Sequence, residues 1–161
     1  MKNVKRVLFV CTDNFTRSVT AEMCLKDFLL RTNNLDFEVA SAGIKASSDI
    51  SNYFINHFDR MKILGIDSSS FKRTQFIKEF LDCYDYIVGM GKEHNEYIRN
   101  HFGVNILLFT DICGDDNYNR LNFTYNENLD FTKLLEDMVD YLYGVMPIFI
   151  NKISCLQENK C

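Results

Sequence analysis

One stretch, residues 7 to 29, constrains the chain more than any other. Val7-Leu8-Phe9-Val10 is an unbroken apolar run, the pattern of a short strand covered on both faces. It ends at Cys11, and Thr12-Asp13-Asn14-Phe15-Thr16-Arg17 follows as a mostly small or polar loop. From Ser18 onward, apolar residues at 21, 24, 25, 28 and 29 form the stripe of a helix with one buried face. A strand, a sharp loop and a helix in this order place a cysteine opposite converging backbone amides, with an arginine six positions on.

Such a loop suits phosphate chemistry. Successive amides and a helix N-terminus make an anion-binding concavity. The same positive potential favours a thiolate, and in such settings a cysteine pKa falls from about 8.5 to roughly 3.5–7.5. The thiolate is the nucleophile of a phosphocysteine mechanism. Arg17 offers a planar fork that grips two phosphoryl oxygens, and Ser18 can donate a hydrogen bond to the sulfur. Cys-x5-Arg alone is a weak signal, with about 0.26 chance matches expected from six cysteines and seven arginines in 161 residues. Its position between a strand and a helix is what gives it weight.

Val10 to Ser18, followed by Ala21-Glu22, resembles the phosphate loop of the low-molecular-weight protein tyrosine phosphatases, which carry Cys-x5-Arg-Ser near the N-terminus. The likeness continues through Ser41-Ala42-Gly43, Gly65-Ile66 with Arg73, Asp85 to Val88 before Met90, and Asp130-Phe131. It implies Cys11 as nucleophile, Arg17 as clamp, and Asn14, Ser18 and Ser41 as a network shaping the loop. It also implies hydrolysis of phosphomonoesters, on protein phosphotyrosine or a small aryl phosphate. Phosphate or a similar oxyanion would sit in the loop, with no cofactor and no metal.

The remaining sequence fits one α/β domain spanning 1–161. Strands are expected at Phe37–Ser41, Tyr84–Val88 and Val104–Phe109, and helices near 50–64, 71–81, 92–101 and 131–142. Gly144 and Pro147 suggest that the last helix ends or kinks there, and the tail from Ile148 to Cys161 is unplaced. Alternation of this kind implies three layers: a four-stranded parallel sheet with helices on both faces and the phosphate loop after the first strand. Ligands of such sheets bind beyond the carboxyl ends of the strands. His57 falls on an apolar stripe and reads as a core or boundary residue rather than a ligand or base.

Composition excludes several alternatives. A net charge of -4 and a pI near 5.3 argue against a nucleic-acid partner. No apolar run reaches a membrane span, and Val7–Val10 is too short for a signal-peptide core, so a cytoplasmic location is expected. The six cysteines contain no Cys-x2-Cys pair, so neither a zinc site nor a disulfide framework is indicated.

Departures from the family pattern sharpen the expectations. The family keeps its general acid in an Asp-Pro-aromatic segment before the last helix; counting back from Asp130-Phe131 places Asn122 there, with Asp116 a potential substitute. Asp13 stands where glycine is usual, and Thr16 where a second loop cysteine is often found. The aromatic wall is thinner, with Ser47 and Thr124 at ring positions and Phe15, Tyr53 and Tyr125 as candidate replacements. These differences keep open a second reading, a weak or inactive phosphopeptide-binding pseudophosphatase. An arsenate reductase is a third, disfavoured because Gly89-Met90-Gly91 carries no relay cysteine.

Overall fold

The computed structural model describes residues 3–47, 54–114, 121 and 130–158. The element order is β1 (Lys5–Cys11), α1 (Arg17–Arg31), β2 (Phe37–Gly43), α2 (Asn56–Ile63), α3 (Phe80–Cys83), β3 (Tyr86–Gly89), α4 (Lys92–Phe102), β4 (Leu107–Leu108), α5 (Phe109–Cys113) and α6 (Phe131–Glu158). The four strands are parallel in the order β2-β1-β3-β4. The expected α/β architecture is therefore present.

Strand β1 is the spine of the sheet because both of its faces are apolar. Val7, Phe9 and Cys11 point into one core with Leu25 of α1 and Met138, Leu142 and Phe149 of α6. Leu8 and Val10 point into the other, with Ile98 of α4 and Phe76. Phe9 meets Phe149 at 5.3 Å, and Phe149 stacks on Phe109 at 5.4 Å. Each such ring contributes roughly 1.5–3 kcal/mol through burial.

Three elements differ from expectation. Residues 71–81 do not form one helix. Gly43 donates its N–H to Thr74 O and accepts from Phe76 N–H, so this segment runs beside the end of β2 and only Phe80–Cys83 turns helical. Backbone partners from a distant strand replace the intrahelical ones. The fourth strand shrinks to Leu107–Leu108, because Asn95 Oδ1 takes the Ile106 N–H and the chain turns into α5 at Phe109. The last helix neither ends at Gly144 nor stops at Pro147; it continues to Glu158 and absorbs the start of the unplaced tail. Burial of Val145, Met146, Phe149 and Ile153 offsets the cost of proline, about 3 kcal/mol in a helix interior. Cys155 on this helix is disulfide-bonded.

Helix α2 carries His57 and Met61 into the core, as their spacing suggested. Among the described residues, no helix is long and apolar enough to cross a membrane.

Candidate active site

The loop between β1 and α1 is fastened to the rim of β2. Ile44 N–H donates to Cys11 O at 3.0 Å and Lys45 N–H to Thr12 O at 2.8 Å. Asn14 adopts φ 52°, a left-handed conformation that asparagine tolerates better than most residues, and this turns the loop back over the strand end. No side chain caps α1 at Thr16, so the N-terminal amides of the helix face the loop without a competing cap.

Cys11 is fully buried at the bottom of this turn, and its sulfur is surrounded by donors. Asn14 N–H reaches Sγ at 3.3 Å and Ser18 Oγ lies at 2.9 Å. Asn14 Nδ2 donates to both Ser18 Oγ (2.9 Å) and Ser41 Oγ (2.8 Å), which leaves the Ser18 hydrogen free for the sulfur. Ser41 in turn donates to Glu22 at 2.6 Å, and Asn14 Oδ1 accepts from Thr74 N–H at 2.7 Å. Every polar atom of the Asn14 side chain is thus used, which fixes its orientation.

The sulfur's electrostatics differ from the sequence expectation. Burial pushes the Cys11 thiol above its ordinary value, and the nearby Asp13 charge pushes the same way. The Arg17 guanidinium and the Ser18 hydrogen bonds pull it down without overcoming burial. The thiol proton has an acceptor in Asp13 Oδ1, 3.5 Å from Sγ, which also accepts from Phe15 N–H at 3.1 Å.

Arg17 is held from the β3–α4 junction. Glu93 Oε1 pairs with its Nη1 at 3.2 Å, and Nη2 lies 3.4 Å from Nε2 of the buried His94. His94 Nδ1 accepts from Gly91 N–H, so the ring proton sits on Nε2 and is donated to Thr12 Oγ1 at 3.1 Å. Burial, reinforced by Arg17, lowers the His94 pKa to about 4. On the opposite side, His57 Nε2 donates to Phe15 O at 2.8 Å, and burial lowers its pKa to about 4 despite that bond. Arg73 Nε donates to Asp13 O at 2.8 Å.

The structure therefore brings Cys11, Thr12, Asp13, Asn14, Phe15, Thr16, Arg17 and Ser18 into one loop, with Ser41 behind it. The Phe15 ring packs edge-on against Phe58 and Phe71, and Ser47 bonds Gln75. Asn122, Asp116, Tyr53, Thr124 and Tyr125 lie outside the described residues. Glu93, His94 and the loop contact of Arg73 were not anticipated. Their only sequence signal is position: Glu93 and His94 follow a strand-end glycine on the expected rim.

A parallel α/β sheet whose first strand ends in a buried thiol, with an arginine opening the helix across one short loop, is the arrangement at this rim. The chain belongs to the low molecular weight phosphotyrosine protein phosphatase family, whose model matches residues 6–113. Members of that family are hydrolases acting on phosphorylated substrates. A Drosophila melanogaster relative, low molecular weight phosphotyrosine protein phosphatase 1, is 29% identical over 100 residues, 60% of this chain and 61% of that protein. Among solved structures, the low molecular weight protein tyrosine phosphatase from T. tengcongensis has a TM-score of 0.74 at 22% identity, covering 92% of this chain and 99% of its own. The YwlE arginine phosphatase from Geobacillus stearothermophilus has a TM-score of 0.71 at 21% identity, covering 98% and 97%.

Proposed function

We propose that this chain hydrolyses phosphomonoesters, with protein phosphotyrosine as the preferred substrate, through a phosphocysteine formed on Cys11. Cys11 attacks phosphorus in line, and Arg17 with the loop amides holds the equatorial oxygens. Ser18, donating to sulfur, favours the thiolate when water later displaces it. The observation that supports this most is the set of groups around one buried sulfur: Ser18 at 2.9 Å, Asn14 N–H at 3.3 Å, and Arg17, whose charge opposes the upward push of burial on the thiol.

Asn122 at the acid position cannot donate a proton to the leaving group. General acid catalysis is worth about 10²–10⁴-fold, or roughly 3–5 kcal/mol of barrier. Turnover is therefore expected to be slow with poor leaving groups and less affected with activated aryl phosphates.

The test measures turnover of p-nitrophenyl phosphate and of peptides carrying phosphotyrosine or phosphoarginine, by wild type, Cys11→Ser and Asn122→Asp. Cys11→Ser falls to background, and Asn122→Asp accelerates phosphotyrosine cleavage more than p-nitrophenyl phosphate cleavage. Retained activity in Cys11→Ser overturns the mechanism. The Asp13 carboxylate beside a thiol raised by burial favours a second reading, capture of a phosphorylated partner without efficient turnover. Tight phosphopeptide binding by a wild type that turns nothing over selects it.

A further inference from the structure

Among the described residues, Asp13 is the acid that faces the Cys11 sulfur, and its carboxylate accepts the N–H of Phe15 in the same loop. We infer that Asp13 makes this loop selective for an oxyanion that carries a proton or can take one from Cys11, so that phosphate monoesters are accepted and sulfate esters refused. The inference rests on the oxyanion-loop reading given above.

Asp13 Oδ1 lies 3.5 Å from Cys11 Sγ and 3.1 Å from Phe15 N. A phosphoryl group poised for attack has its phosphorus about 3–3.5 Å from sulfur. Its equatorial oxygens then occupy the same shell around sulfur as Oδ1. An ionised carboxylate only accepts hydrogen bonds, and so does a fully ionised oxyanion. Brought together, the two repel and leave acceptors unsatisfied in a partly buried place. A proton on one oxyanion oxygen converts that repulsion into a charge-assisted O–H···O bond.

Phosphate retains such a proton near neutrality or can accept one; sulfate has the same shape, no proton, and too little basicity to take one from a thiol. With a dianionic phosphate ester the proton comes from Cys11. The S–H bond breaks and an O–H bond forms on an equatorial oxygen, leaving a thiolate beside a monoanion. Attack forms S–P and breaks the P–O bond to the leaving group, which takes its proton from water. Hydroxide or water then breaks S–P, and the phosphoryl proton returns to sulfur as product leaves.

Among the described residues, the charged and titratable groups around Asp13 include Cys11 at the end of β1, Arg17 on α1, His57 on α2 and Arg73, whose Nε holds the Asp13 carbonyl. Glu93 and His94 of α4 stand behind Arg17. The arginines attract any oxyanion, phosphate and sulfate alike; Asp13 is placed to tell them apart.

Calorimetric titration with inorganic phosphate and with sulfate, near neutral pH, tests this in wild type, Asp13→Asn, Asp13→Gly and Arg17→Ala. Wild type is expected to bind phosphate on the order of 10²-fold or more tighter than sulfate, as for a site built around a ligand hydroxyl. In both Asp13 variants the gap closes to below about tenfold, chiefly through tighter sulfate binding. Equal binding of both anions by wild type, or an unchanged gap in folded Asp13→Asn and Asp13→Gly, overturns the inference. If both anions bind and Arg17→Ala weakens both, the oxyanion loop stands whatever the gap. If wild type binds neither, the oxyanion loop and the inference fall together.

Discussion

Ser41 shows how much a single hydroxyl holds in this site. It accepts from Asn14 Nδ2 and donates to Glu22, joining a nearly buried carboxylate to the left-handed residue of the β1–α1 loop. Removing the hydroxyl leaves one donor and one acceptor without a protein partner, at about 1–3 kcal/mol. Ser41→Ala is therefore expected to lower thermal stability and to raise KM for aryl phosphates, while Ser41→Thr restores both in part. Denaturant titration and steady-state kinetics on the two variants check this. At this scale the sequence was informative where spacing is local. Cys11, Arg17 and Ser18 lie within one turn of strand, loop and helix, so their relation is visible in eight residues. His94, Glu93 and Arg73 reach the same loop from 60 to 82 positions away, which no local pattern encodes.

Among elements, the join between β2 and the β1–α1 loop is tightly constrained. A Cβ at Gly43 would lie 2.7 Å from Asn14 N, 2.8 Å from Thr12 O and 2.9 Å from Asp13 C, all backbone of the loop. The loop must move to admit it, and overpacking of this kind costs about 1–3 kcal/mol. Gly43→Ala is expected to keep the fold and lose at least about tenfold in kcat/KM, because loop amides displaced by a few tenths of an ångström misdirect the oxyanion. Circular dichroism together with aryl phosphate kinetics separates the two effects. Strands and helices with regular periodicity were legible here, as α1 and α4 show. Residues 71–81 were misread because Gly43 and Asn14 satisfy their backbone from outside the segment. Of the two readings of Pro147, an end or a kink, the end is excluded, because the apolar residues after it bury enough surface to carry α6 onward.

For the whole molecule, two buried histidines tie stability to pH. His57 and His94 both have pKa values lowered to about 4, against about 6.5 in an unfolded chain. Between these values the unfolded state binds protons that the folded state refuses, so stability is full above about pH 6.5 and falls as the pH drops towards about 4. Each histidine contributes up to about 3 kcal/mol to that loss. Urea midpoints measured across this window are expected to fall steadily. His57→Phe, which keeps the ring packing against Phe15 and Phe58, flattens the slope. The fold class was legible because β1 is apolar on both faces, a pattern that only a covered parallel sheet explains readily.

That double-sided strand has a further consequence. Cys11 is both the proposed nucleophile and the last link of the row Val7, Phe9, Cys11, whose other members press on Phe149 and its neighbours. Reactivity and interior packing thus share one covalent lever. Repacking at Phe9 or Phe149, two rings that never meet a substrate, will tilt the sulfur and retune its chemistry from behind, so an engineer seeking a faster variant has reason to begin in the hydrophobic interior rather than at the mouth.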